Sequence, residues 1–323
     1  MSRLVECVPN VSEGRRRDVI DTLAAAVTAS PGVALLDRTS DPDHNRSVLT
    51  FAGEPEAVTT AIEAVVAAAI EHIDLRSHTG QHPRMGAVDV VPFVPLGDTT
   101  MAECVALACA FGARIAERFE LPVYLYAEAA TRPERRLLSD IRRPQFEGLA
   151  EAMAAPGGEP DFGPRRPHPS AGATVVGARP FLIAWNIELA SADVALAKRI
   201  AKAIRERDGG LPRVQALGLF LEESGHAQVS MNLLDFRITP LWRVWDAVAE
   251  LAAGAGVELL DSELIGLAPL AAFTQTADHI AIEDDLPLEA RIARAASYLR
   301  LRDFMPTMAL ELRLAAAGQA SGS

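Results

Sequence analysis

Two ferredoxin-like βαββαβ units, together an α+β sandwich, are the fold this sequence predicts. Three observations lead there. Apolar runs of strand length alternate with longer stretches of helical spacing, the order β-α-β-β-α-β reads twice, and a proline- and glycine-rich stretch separates the two readings. The chain has 323 residues, 49% of them hydrophobic, enough for a large core in each half. With aromatics at only 5%, alanine, valine and leucine must fill those cores.

The run Leu4-Val5-Glu6-Cys7-Val8-Pro9 is a short apolar strand that ends in Asn10-Val11-Ser12-Glu13-Gly14. Over 18–29, Val19, Ile20, Leu23 and Val27 recur at helical spacing. A strand follows at 33–37, then the polar turn Asp41-Pro42-Asp43-His44-Asn45-Arg46, a strand at 47–51, a helix at 54–73 and a strand at 88–94. A further helix at 100–119 and strand at 123–126 extend this half. The second half gives a strand at 181–189, a helix at 192–207, a hairpin of strands at 214–221 and 227–233, a helix at 240–254 and a strand at 257–262. Subdomains over 1–178 and 179–300 follow, with the proline-rich segment 155–172 assigned to the first and 301–323 left as a tail, whose end at 318–323 is expected to be disordered. The stretch 155–172 reads either as an interdomain linker or, because its prolines stiffen it and it carries Phe162, Arg165, Arg166 and His168, as a wall of a ligand cleft.

The formal net charge of -12 disfavours nucleic acid and anionic membrane surfaces, which call for a basic face. Cys7, Cys104 and Cys109 are odd in number and form no CxxC pair, so the expectation is a reducing cytosol without disulfides or zinc knuckles. No basic start with an apolar run behind it marks a secretory signal, and the alanine-rich helix around 57–70 is interrupted by Thr59, Thr60 and Glu63, unlike a membrane span. Without GxGxxG, a phosphate loop or a Gly-x-Ser-x-Gly elbow, neither nucleotide cofactors nor a serine hydrolase is supported.

The densest chemistry lies in His78-Thr79-Gly80-Gln81-His82-Pro83-Arg84-Met85-Gly86-Ala87, a rigid loop at the entrance to a strand. Gly80 and Pro83 break the helix that would bring His78 and His82 together as metal ligands, and only Asp89 is near enough in sequence to join them, so no metal is expected. Acid/base work by a histidine is the functional reading, and an imidazole hydrogen-bonded inside a tight loop is the structural one. The turn 37–47 is either a solvated corner or, through Asn45 and Arg46, a ligand contact. Asn10 follows the first strand, while Gln228, Ser230 and Asn232 alternate along one face of theirs, offering amides and a hydroxyl to a carboxylate or a pterin.

Several of these stretches together resemble the formiminotransferase family. The resemblance covers nearly the whole chain, through 4–14, Asn45-Arg46-Ser47, the loop 78–87, Gly172-Ala173-Thr174-Val175-Val176-Gly177-Ala178-Arg179, Ala227-Gln228-Val229-Ser230-Met231-Asn232-Leu233 and Ser262-Glu263-Leu264-Ile265-Gly266-Leu267. It implies an enzyme that moves a formimino group from N-formimino-L-glutamate to tetrahydrofolate, with or without a polyglutamate tail, in histidine degradation and one-carbon metabolism. It implies His82 as the acid/base, a folate-binding segment of Gly163, Pro164, Arg165, Arg166, Pro167, His168, Pro169, Ser170, Ala171 and Gly172, folate held in the cleft between the subdomains, and a cytoplasmic homodimer lacking the cyclodeaminase domain fused to some relatives. Tetrahydrofolate would be a co-substrate; no metal or nucleotide is implied.

On that reading Arg46 and Arg84 grip the donor's carboxylates, Arg165, Arg166 and His168 meet the folate's glutamate, and Arg84→Lys mainly raises the donor's KM. The chain departs from the family where Gln81 replaces an acidic residue and Glu188 replaces an asparagine. A changed carboxylate near a histidine alters its proton affinity, which keeps two alternatives open. One is a folate enzyme handling a formyl group, from N-formylglutamate or by cyclising formyltetrahydrofolate. The other is a folate-binding protein without catalysis.

Overall fold

The computed structural model describes residues 3–222, 224–280 and 286–320. The first apolar run becomes two short strands, β1 (Arg3–Cys7) and β2 (Asn10–Val11), parted by Val8 and Pro9. Proline has no N–H for a ladder, which explains the interruption. Helix α1 (Arg17–Thr28) buries Val19, Ile20, Leu23 and Val27, the residues whose spacing predicted it. The hairpin β3 (Val33–Asp41) and β4 (Arg46–Gly53) follows, then α2 (Pro55–His72), with proline in its first turn where a missing N–H is harmless. Next come β5 (Val88–Gly97) and α3 (Met101–Phe119), which starts on a reciprocal Thr100–Glu103 capping box and stops at left-handed Glu120. Strand β6 (Val123–Ala127) closes the predicted order.

β4 and β5 flank the β1/β2 pair, and β3 lies outside β4, all antiparallel. Numbered within the βαββαβ unit, that is the ferredoxin-like order 4-1-3-2.

The proline-rich stretch 155–172 is not a linker between the halves. It belongs to the first unit, Met1–Pro180, and leads into β7 (Thr174–Ala178), an unpredicted strand that enters between β5 and β6 and pairs with both in parallel. The stretch is tied down before it reaches β7. Val123 N–H donates to the Phe162 carbonyl at 3.0 Å, and the Asp161 carboxylate accepts from Leu125 N–H at 2.7 Å while pairing with buried Arg135 at 2.6 Å. Two more unpredicted helices precede it, α4 (Leu138–Ile141) and α5 (Gln145–Ala154). Alternation then builds two cores on opposite faces of the sheet: Val123, Leu125 and Val176 face α1–α3, whereas Tyr124, Tyr126 and Val175 pack against Leu149 and Met153 of α5.

The second unit, Phe181–Ser323, repeats the order with β8 (Ile183–Leu189), α6 (Val194–Ile204), β9 (Val214–Leu221), β10 (His226–Leu233), α7 (Leu241–Gly254) and β11 (Leu259–Ile265). Its sheet runs β11-β8-β10-β9, again 4-1-3-2 and antiparallel. Trp185, Ile187, Val229, Met231, Val244 and Val248 lie in its separate core. Burying an aliphatic side chain of this size is worth about 1.5–3 kcal/mol. Three helices continue the chain: α8 (Leu270–His279), α9 (Leu288–Tyr298) and α10 (Leu310–Ala320). The segment expected as a tail is therefore helical over much of its length. Helix α10 takes in Gly318, and Ser321–Ser323 of the segment expected to be disordered lie outside the described residues.

Candidate active site

The loop before β5 is held by its neighbours in sequence and in space. Gly80 leaves so little room that a Cβ would sit 2.3 Å from the His44 carbonyl oxygen. Asn45, at φ 49°, clasps three segments, accepting from Gly14 N–H through Oδ1 at 2.9 Å and donating through Nδ2 to the Thr79 carbonyl at 3.0 Å. On the other side the folate-segment candidate buttresses the loop: Ala87 N–H donates to Ala171 O at 3.0 Å and Ala173 N–H to Met85 O at 3.0 Å.

The two loop histidines have different fates. His78 Nε2 lies 2.9 Å from the Asn45 carbonyl and its Nδ1 accepts from Arg84 Nε at 3.1 Å, which fixes its tautomer with the proton on Nε2. That is the structural use of an imidazole. Among the described residues His82 has no such pair of partners, one on each ring nitrogen. It is half-buried, edge-on to His44 with ring centroids 5.9 Å apart, and helps line a small cavity with Val11, Ser12, His44, Asn45, Arg46, His78, Arg84 and Asp89. The enclosed part of that cavity has room for about one water molecule. Burial pushes the His82 pKa down, the positive charges of Arg46, Arg142 and His44 push it further, and a hydrogen bond to the Pro83 backbone only partly opposes them, leaving it at about 3. At neutral pH this ring is an unprotonated base.

Arg46 opens β4 and carries its guanidinium into the same place. Burial and repulsion from Arg142 lower its pKa to about 10 against the pull of Asp89 and Asp41, and its buried Nε has no hydrogen-bond partner. Asp89 is 3% exposed; its Oδ1 accepts from Met85 N–H at 2.7 Å and its Oδ2 lies 2.5 Å from Arg142 Nη2. Arg142, just past α4, escaped the sequence reading because its helix has no amphipathic period and nothing in the run Arg142-Arg143-Pro144 sets one arginine apart.

Other predicted contacts are spent on the scaffold. Arg84 forks onto Glu147 at 2.9 and 2.7 Å and gives its remaining donors to His78, so it is not an open carboxylate clamp. The Asn45 amide is used on backbone, as described above, and Asn10 Nδ2 donates to Val8 O at 3.1 Å. In the segment 163–172, Arg165 covers the end of α5 by donating to the carbonyls of Met153, Ala154 and Ala155, and His168 Nδ1 accepts from Ala171 N–H at 3.0 Å. Arg166 instead points an exposed guanidinium toward Glu120, 3.8 Å away. Pro164, Pro167, Pro169 and Ser170 shape the strap, Gly163 and Gly172 adopt positive φ, and Ala171 is buried.

In the second unit Gln228 and Asn232 lie on the face of β10 opposite the core-facing Val229, Met231 and Leu233, with Gln228 in register with Glu188 and Asn232 with Ala184. Glu188 is no lone anion. Burial raises its proton affinity, but Ser224, His226 and Arg302 outweigh burial and hold the carboxyl below its usual range; His226 Nδ1 is 2.7 Å away and Arg302 3.6 Å. Gln81 is exposed and engages through its backbone N–H, to Asp43 O at 3.1 Å. The three cysteines are free, and burial raises each thiol pKa, to about 11 at Cys104. Among the described residues no group of three or more His, Cys, Asp or Glu side chains is placed to hold a metal ion, and no helix is long and apolar enough to cross a membrane.

A family model described as the formiminotransferase domain, N-terminal subdomain, matches residues 4–179, and the formiminotransferase domain model matches 184–308. The chain belongs to the formiminotransferase family. The motifs that carried the resemblance thus fall in two family domains, one in each unit, and the two-subdomain α+β fold expected of the family is the one observed. Among its relatives, a glutamate formimidoyltransferase of Thermoplasma acidophilum is 44% identical over 91% of this chain and 99% of that protein. One of Streptococcus pyogenes is 44% identical over 88% of this chain and 95% of its own length. The formimidoyltransferase-cyclodeaminase of Rattus norvegicus is 47% identical over 86% of this chain but only 52% of that protein. As a member of the formiminotransferase family, the chain is a one-carbon group-transferring enzyme.

Proposed function

We propose that this enzyme transfers the formimino group of N-formimino-L-glutamate to tetrahydrofolate, giving formiminotetrahydrofolate and L-glutamate, with His82 as its acid/base. The observation that carries the reading is the division of labour in the loop: His78 is locked into the scaffold by both ring nitrogens, while His82 is left unprotonated beside Arg46 at the cavity.

The secondary amine of the reduced pterin attacks the amidine carbon, forming a new C–N bond and a tetrahedral centre. Its nitrogen becomes cationic and gives up a proton, which neutral His82 accepts. The imidazolium so formed is a strong acid in the field of Arg46 and Arg142, and it delivers the same proton to the glutamate nitrogen as the old C–N bond breaks. Amines leave poorly unless protonated, so one group serves both directions. Holding the two substrates together supplies much of the remaining rate.

Arg46, whose Nε lacks an acceptor, is the donor's carboxylate contact in this reading, and Arg84 works behind the loop. The strap 163–172 is the folate seat, with Arg166 left to meet a glutamate tail, and Gln228 and Asn232 offer amides to either substrate. Glu188 is charge-compensated by His226 and Arg302, and Gln81 is uncharged, so neither departure from the family pattern adds a bare carboxylate to repel an anionic donor. The edge strand β9, which among the described residues pairs with β10 on one side alone and exposes Leu217 and Leu219, is a surface suited to a second copy in a homodimer, and three free thiols fit a reducing cytosol.

A steady-state assay tests the proposal. With N-formiminoglutamate and tetrahydrofolate, His82→Ala is expected to lose about 100- to 10,000-fold in kcat. Undiminished turnover in that variant, or a clear preference for N-formylglutamate as donor, sinks it.

A further inference from the structure

We propose that Arg142 is a positioning residue for the donor: with Arg46 it forms a two-guanidinium seat beside His82 that receives one carboxylate of the amino-acid substrate. The inference rests on the reading of His82 given above, but it adds a ligand contact and a coupling which that reading does not require.

Arg46 and Arg142 share the field of Asp89, with Asp41 adding to it at Arg46, and one oxygen of Asp89 is occupied by the Met85 N–H. Arg142 sits against the other oxygen, and Arg46 makes no ion pair among the described residues. Arg46 Nε and Arg142 Nε and Nη2 are buried donors without an aligned acceptor, although Nη2 is in charge contact with Asp89. Buried donors are nearly always satisfied, and a buried cation in excess is costly unless an anion joins it. A carboxylate supplies both missing elements, oxygen acceptors and a negative charge, in the geometry guanidinium prefers.

The source of that carboxylate follows from the reaction. The donor's carboxylates lie within a few bonds of the carbon that is transferred, whereas the folate's glutamate is held away from the reacting nitrogen by its aminobenzoyl spacer. A seat beside the proton-exchanging ring therefore suits the donor. The charged and titratable groups around that ring are Arg46 and Asp89 from the sheet, Arg142 after α4, Asp41 and His44 from the β3–β4 turn, and His78 and Arg84 from its own loop. Of these, Arg46, Arg142 and His44 disfavour a proton on His82, and a seated anion offsets the first two. Donor binding then prepares His82 to accept its proton, and departure of glutamate restores the empty, base-only state.

The test is an NMR titration of the His82 ring in the whole protein, free and with saturating L-glutamate, alongside donor and folate kinetics. In the wild type, glutamate should move the His82 titration upward by a unit or more. Arg142→Met should raise it already in the free protein, abolish most of the glutamate-induced shift, and raise the donor's KM at least tenfold with a much smaller change in kcat and none in the folate's KM; Arg142→Lys should recover part of the loss. Because removing Arg142 strands Asp89, the double variant Arg142→Met/Asp89→Asn keeps the balance of charge, and it should show the same loss of donor affinity. Donor KM and glutamate shift both within twofold of wild type in a folded variant overturn the proposal, and so does a rise in the folate's KM instead of the donor's. Failure of the underlying reading looks different: no turnover of N-formiminoglutamate by the wild type, with glutamate still shifting His82.

Discussion

A single imidazole shows how little residue type decides and how much surroundings do. His78 and His82 share a loop and a chemistry, yet one is tied by both nitrogens and the other, held only by the Pro83 backbone, faces a cationic pocket. The depressed pKa of His82 has a consequence for stability. An unfolded chain binds a proton at this ring near pH 6.5, while the folded protein resists it down to about 3, so the stability linked to His82 is complete above 6.5 and declines as the pH falls between those values. His82→Asn should therefore show a shallower loss of stability between pH 6.5 and 3, measured by denaturant titration at a series of pH values. A wild-type slope in the variant contradicts the depressed value. Arg84 also changes role once its partners are visible. Its fork reaches Glu147 and His78, so Arg84→Lys should cost about 1–2 kcal/mol in stability and lower kcat through the loop, with the donor's KM little altered. A rise confined to the donor's KM would restore the direct clamp that the sequence alone pointed to.

At the scale of elements, the strap 163–172 and β7 hold the loop 78–87 from behind. Gly172 is the tightest point of that arrangement, with φ +68° and a built Cβ only 2.1 Å from the Met85 carbonyl oxygen. Gly172→Ala is expected to destabilise the first unit by at least about 1–3 kcal/mol and to depress kcat, since the carbonyl it displaces belongs to the loop that presents His82. The strand pair explains why a proline-rich run can be ordered: its own backbone has few ladder partners, but Asp161, Arg135 and Arg165 satisfy local polar groups from the side.

For the molecule as a whole, each unit has its own core and its own complete 4-1-3-2 sheet. All three tryptophans, Trp185, Trp242 and Trp245, lie in the second unit. Tryptophan fluorescence therefore follows that unit, while far-UV circular dichroism follows both. In Gly172→Ala the dichroism transition should begin at lower denaturant and the fluorescence transition should stay near its wild-type midpoint. Coincident shifts of both signals would mean that the units unfold as one cooperative body.

The sequence by itself determined the βαββαβ units and the loop that matters, because helical and strand periods, the Gly80 and Pro83 breaks and the separated family motifs are local signals. It missed β7, since Thr174–Ala178 is short, buried on both faces and shows no alternation, and it left the strap open between a linker and a cleft wall because proline content says nothing about what the chain packs against. Which histidine is free, why Arg84 and Asn45 are not, and that Arg142 joins Arg46 were decided only by the tertiary structure. Hydrogen-bond saturation and electrostatic fields depend on distances across segments far apart in the chain, and no spacing along one strand or helix encodes them.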